Sequence, residues 1–168
     1  YSDVKYAERM YRRFVHDLWK LGTMRAAIFA TIHPAASCLL ADLLHEANMG
    51  GMIGLVGMDR NSPEGLTNTV EQWREGMEQL MIHTASMPLI STIITPRFIP
   101  SCTPEMLNVM GCMAHDKQLP VQSHLSENQS EIEWVKELEP HASCYGDAYN
   151  RYGLFGQTPT LMAHCCYT

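Results

Sequence analysis

The chain has 168 residues, 46% of them hydrophobic and 18% charged, and no stretch has the low apolarity or charge excess that keeps a chain unfolded. Twelve Lys and Arg stand against eighteen Asp and Glu, a net charge of -6 without long like-charge runs, so nucleic acid and anionic membrane are excluded as expected partners. No apolar run approaches the roughly 18 residues of a bilayer span, and the first residues lack the pattern of a secretory leader, so a cytoplasmic location is expected.

Helical and strand patterns then alternate along the chain, the mark of repeated βα units and a parallel sheet. The spacing of Val4, Ala7, Tyr11, Phe14, Leu18 and Leu21 predicts a helix from about Ser2 to Lys20, stopped by Gly22. Met24 to Ile32 reads as a buried strand delivering His33, and a helix follows from about Ala35 to Ala47. Met52 to Met58 is the second strand and delivers Asp59, Arg60 and Asn61. Thr67 is the candidate cap of the next helix, in which Val70, Trp73, Met77 and Leu80 share a face.

The third strand, Leu89 to Thr95, leads to Arg97 between Pro96 and Phe98. Thr103 then Pro104 opens a helix that ends near Gln118. A short strand, Pro120 to Ser123, delivers His124 and Glu127. Asn128 with Glu131 resembles a capping box for a helix carrying Ile132, Val135 and Leu138. The last strand, Thr160 to Ala163, delivers His164. The cysteines Cys38, Cys102, Cys112, Cys144, Cys165 and Cys166 form no C-x-x-C pair and are read as free thiols.

Five strands thus hand His33, Asp59, Arg97, His124 and His164 to their C-terminal ends, where parallel α/β folds collect their active sites. Neither G-x-G-x-x-G nor G-x-x-x-x-G-K-[ST] occurs, which favours a barrel over a nucleotide-binding open sheet. The expected fold is α/β, a partial (β/α)8 TIM barrel of about five βα units. A closed barrel needs eight strands and about 250 residues, so residues 1–168 are expected to form a single incomplete catalytic barrel domain lacking N-terminal and C-terminal parts.

His124 and His164 end neighbouring units and suit a divalent metal, though a catalytic zinc takes three or more protein ligands. Hydrogen-bonded loop histidines fit the same pattern. Glu127 stands where a carboxylate could reach a metal-activated water, and equally where a solvated first-turn Glu belongs. Arg97 could meet a carbonyl oxygen while Phe98 packs on a planar substrate; a rim ion pair and a core Phe are the plainer alternative. Asp59, Arg60 and Asn61 fit a turn with a rim ion pair and equally a ligand contact, and His33 fits a satisfied rim histidine better than a metal ligand.

Together these segments resemble the guanine deaminases of the amidohydrolase superfamily. The likeness is carried by Ile28 to His33, Met58 to Asn61, Thr95-Pro96-Arg97-Phe98, Met162-Ala163-His164-Cys165, and most specifically Gln122-Ser123-His124-Leu125-Ser126-Glu127-Asn128. The resemblance implies metal ligands at His124 and His164, a proton shuttle at Glu127, and a guanine pocket at Arg97 and Phe98. It further implies hydrolysis of guanine to xanthine and ammonia by metal-bound hydroxide, with one divalent ion, zinc or alternatively iron, and a homodimer in the full-length form. The family's His-x-His pair and its metal-binding Asp have no counterpart here, so the isolated chain is expected to be inactive. The rival readings are another amidohydrolase-type aminohydrolase or chlorohydrolase acting on a different heterocycle, and a non-catalytic barrel protein.

Overall fold

Asp3 caps the first helix through its carboxylate, which accepts the backbone N–H groups of Lys5 and Tyr6; the helix, α1, runs over Val4–Lys20. It buries only Ala7, Tyr11 and Val15, while Val4, Phe14 and Leu21, expected on the same apolar face, stay exposed. The computed structural model describes residues 1–167.

The strands are parallel. β1 (Arg25–Phe29) pairs with β2 (Gly50–Gly54) in a register that sets Arg25 against Gly50 and Phe29 against Gly54. β2 continues, after a break at Leu55, as β3 (Val56–Gly57); the third lane is likewise split, into β4 (Ile90–Thr92) and β5 (Thr95–Pro96). β2 pairs with β4 and β3 with β5. The breaks have a physical cause. The Leu55 carbonyl accepts the indole N–H of Trp73, and the Ile93 carbonyl accepts the Thr95 hydroxyl, so both backbones turn toward side-chain donors instead of continuing the ladder. An isolated bridge between Ile94 and Val121 carries the lateral pairing to β6 (Val121–Leu125), which pairs with β7 (Thr160–His164).

The helices lie between the strands in sequence: α2 (Pro34–Glu46), α3 (Val70–Thr84), α4 (Pro104–Lys117), α5 (Gln129–Leu138) and α6 (Tyr145–Arg151). α3 is capped by Thr69, not Thr67: Thr69 and Gln72 exchange a reciprocal capping box. At α5 only half of the anticipated box exists. Asn128 accepts the Glu131 N–H, but the Glu131 side chain is buried elsewhere. α6 falls where the hydrophobic spacing indicates no element. The core joins the inner faces of α2, α3 and α4 to the strands through Leu40, Leu44, Ile53, Trp73, Met77, Leu80, Ile94 and Met110, all fully buried.

α4 meets the end of α6 with no room between them: a Cβ on Gly111 would fall 1.8 Å from the Tyr152 carbonyl oxygen. Backbone cannot swing aside as a side-chain tip can. Gly111→Ala should therefore cost about 1–3 kcal/mol of unfolding free energy, whereas Gly146→Ala, in open space within α6, should be neutral or slightly stabilising. Urea denaturation of the two variants beside the parent distinguishes these outcomes.

Candidate active site

The alternation of β6 points Gln122 and His124 to one side and Ser123 to the other. Gln122 donates to the Ile28 carbonyl and the Thr95 hydroxyl oxygen, both at 3.0 Å, tying the strand laterally to β1 and to the third lane. Ser123 donates to the Pro96 carbonyl at 2.8 Å and lies 2.7 Å from the Tyr149 hydroxyl, which donates to the His124 carbonyl at 2.8 Å. The backbone on both sides of His124 is thereby fixed.

His124 is within the strand, which runs two residues past the expected end at Ser123, and its ring is fixed as well. Nδ1 stands 2.7 Å from the Arg97 carbonyl oxygen. A carbonyl only accepts, so Nδ1 carries the hydrogen and Nε2 keeps its lone pair for another partner. Phe29 packs against the same imidazole at 4.5 Å between ring centroids.

His164, the last residue of β7, sits beside it with ring centroids 5.3 Å apart and planes within 27°. In the strand register His164 is opposite Leu125, while His124 is opposite Ala163. Its φ of 74° is left-handed, as are those of Cys165 (53°) and Ser126 (52°). Such backbone is costly for non-glycine residues and persists only where surrounding contacts impose it. Here those contacts are Cys165 N–H to the Leu125 carbonyl and Cys166 N–H to the Ser126 carbonyl. The Glu127 carboxylate approaches His164 Nε2 at 3.6 Å.

Arg97 and Phe98 follow β5. The Arg97 N–H donates to the Gly57 carbonyl, and its guanidinium lies 5.4 Å from the centroid of Phe98 with no carboxylate partner among the described residues. Phe98 meets Trp134 of α5 edge to face, at 6.2 Å and 78°. All five residues expected from sequence, Arg97, Phe98, His124, Glu127 and His164, line one cavity of about 560 Å³, joined by Asn128, Ser130, Glu131 and Trp134. That volume is in the range of small-molecule sites.

Asp59, Arg60 and Asn61 stand apart from the cavity. Asp59 accepts both the N–H and the hydroxyl of Thr103, while Arg60 and Asn61 donate to the Ile99 and Pro100 carbonyls of a 3-10 turn over Ile99–Ser101. They brace the segment after Phe98; the rim ion pair anticipated for Arg60 is replaced by this carbonyl bond. His33 caps α2 through its backbone, and burial lowers its imidazole pKa. All six cysteines are free thiols. Sequence spacing missed Tyr149, Glu131 and Trp134; the only trace was the three-residue spacing of Glu131 and Trp134 on one face of α5.

Two imidazoles beside a carboxylate are a donor set suited to a divalent ion such as zinc. No group of three candidate ligands occurs among the described residues, whereas a catalytic zinc takes three or more. No helix among the described residues is long and apolar enough to cross a membrane.

The profile of the amidohydrolase family matches residues 5–168. The chain belongs to the amidohydrolase family. It is similar to the guanine deaminase of Dictyostelium discoideum, with 40% identity over 99% of this chain and 37% of that relative, and to that of Escherichia coli, with 34% identity over 99% of this chain and 38% of the relative. Among solved structures, the Clostridium (C. acetobutylicum) guanine deaminase with bound guanine superposes on this amidohydrolase chain with a TM-score of 0.96 and 41% identity, over 99% of this chain and 40% of that one. The chain therefore spans under two fifths of the length of the curated relatives it matches.

Tyr149 is the buried pivot of the hydrogen bonds behind His124. Tyr149→Phe should lose about 1–2 kcal/mol of stability by removing the donor to the His124 carbonyl, measured by chemical denaturation with far-UV detection.

Proposed function

We propose that this chain is an arc of about five βα units of a (β/α)8 barrel, the incomplete catalytic domain of a metal-dependent guanine deaminase that converts guanine and water to xanthine and ammonia. The observation that carries the reading is the approach of Glu127 to His164 Nε2 in the cavity shared with Arg97 and Phe98. It agrees with the relatives, whose names record the same activity.

In this reading His124 and His164 hold the metal through Nε2. A divalent ion bound there, zinc or alternatively iron, supplies the Lewis acidity that makes water nucleophilic near neutral pH. The Arg97 carbonyl keeps His124 in the ligating tautomer, as second-shell acceptors do at such sites. Glu127 takes one proton from the attacking water and passes it to the ring nitrogen beside the amino-bearing carbon; the other proton then moves from the new hydroxyl to the amino nitrogen, so that the C–N bond breaks, ammonia leaves and the carbonyl of xanthine forms. Arg97 donates to the purine carbonyl oxygen, and Phe98 packs against the ring.

Glu127→Gln in the metal-loaded full-length enzyme should lower kcat for guanine by roughly 10²- to 10⁴-fold, followed by ammonia release; retained activity would remove Glu127 from proton transfer. His124→Ala and His164→Ala should each lose bound metal, read by elemental analysis. Residues 1–168 alone should release no ammonia from guanine at an enzymatic rate, because two ligands do not complete a catalytic zinc. Turnover of aminotriazines in preference to guanine by the full-length enzyme would replace guanine with the rival heterocycle.

A further inference from the structure

One aromatic side chain on the cavity wall takes no part in the chemistry above and none in the buried core. α5 turns Glu131 and Val135 into the protein, where both are buried, whereas Trp134 is 36% exposed and lines the cavity with Arg97, Phe98, His124, Glu127 and His164. Its indole is therefore reachable by a ligand. Apolar surface left facing water on such a wall is relieved when a flat apolar ligand covers it.

The surroundings of Trp134 are one-sided. Among the described residues its aromatic partner is Phe98, met edge to face with centroids 6.2 Å apart and planes at 78°, while the two imidazoles pair with each other and with Phe29. The cavity thus has an imidazole end, which Glu127 joins through His164, and an aromatic end, where Phe98 also carries the Arg97 guanidinium at 5.4 Å. Two rings near right angles make a corner: a planar ligand lying along one is bounded by the other. In the guanine reading the amino-bearing carbon sits at the imidazole end and the carbonyl oxygen meets Arg97. The five-membered ring is fused to the six-membered ring on the side opposite that carbon. It extends away from the imidazoles, toward the corner of Phe98 and Trp134.

We propose that Trp134 is a substrate-binding residue that packs its indole against the five-membered ring of a bicyclic heterocycle, so that purine bases are held more tightly than single-ring analogues. The inference rests on the guanine reading above. The imidazole end and Arg97 meet groups that a purine shares with a one-ring pyrimidinone; Trp134 meets the ring that it does not share. Selection for the second ring then belongs to α5, apart from the residues that act on the first.

The test is calorimetric binding of hypoxanthine and of pyrimidin-4-one, its six-membered ring alone, to the full-length, metal-loaded protein and its Trp134 variants; neither compound has an amino group to lose. The parent should bind hypoxanthine more tightly, and Trp134→Ala should weaken hypoxanthine by roughly 10- to 100-fold, the worth of a base stacked on an aromatic side chain, while leaving pyrimidin-4-one nearly unchanged. Trp134→Phe should recover most of the affinity but lose the quenching of tryptophan emission that hypoxanthine produces in the parent, since Trp73 is fully buried and Trp19 lies on α1. Equal losses for both compounds in Trp134→Ala, the mark of a residue that only props Phe98, overturn the proposal. Equal affinities in the parent, or binding of neither compound, overturn it as well. Ammonia release from guanine by the parent is followed separately: its absence removes the guanine reading, while the two affinities still decide the role of Trp134.

Discussion

The hydrogen bond from His124 Nδ1 to the Arg97 carbonyl joins the two halves of the cavity. One end belongs to the strand that presents the imidazole, the other to the residue whose guanidinium faces the same space. Because the acceptor is main chain, the bond fixes at once the tautomer of the histidine and the backbone from which Arg97 and Phe98 project. The Ser123 hydroxyl also reaches the Arg97 carbonyl, at 3.2 Å, so the two neighbouring residues of β6 hold one oxygen from different sides. Disturbing the carbonyl would move the His124 imidazole and the Arg97 guanidinium together.

The remaining structure serves to keep that carbonyl in place. Asp59, Arg60 and Asn61 hold the turn beyond Phe98 through Thr103, Ile99 and Pro100, while Gln122 braces the strand from beneath through Ile28 and Thr95. Tyr149, delivered by the short helix α6, ties Ser123 to the His124 carbonyl. None of these groups needs contact with a ligand to matter. Each reduces the freedom of groups that do, which is how a site is preorganised on rigid elements.

The parts of this arrangement that were readable from sequence are those encoded locally. Strand ends carrying His124, His164 and Arg97 announce themselves as apolar β-branched runs followed by an ionisable residue, and α1, α2 and α4 follow from spacing and caps. The broken second and third strands were not readable, because the breaks come from Trp73 and Thr95 side chains competing for backbone carbonyls. α6 escaped because a turn of helix from Tyr145 to Arg151 offers too little length for periodicity to speak. Glu131 was misread for a related reason: its position after Asn128 fits a cap, and only the packing of α5 against the cavity reveals that its side chain is committed inward. The resemblance of Gln122 to Asn128 to known deaminases singled out the segment, whereas its supporting bonds come from residues 25 or more positions away, such as Arg97 and Tyr149.

The left-handed backbone at His164 alters what the β6 and β7 pairing would otherwise deliver. Residues in register on parallel strands face the same side, so Ala163 shares the side of His124, and regular alternation would send the next side chain, His164, toward the helical layer with Leu125. A φ of 74° rotates the chain about its N–Cα bond and brings the imidazole back to the face where His124 waits. The convergence of the two rings is therefore stored in one dihedral angle. Ideal strand geometry at that residue would dismantle the pair along with the Cys165 and Cys166 N–H bonds that hold the turn, which makes this peptide a point where backbone strain and site geometry are bound together.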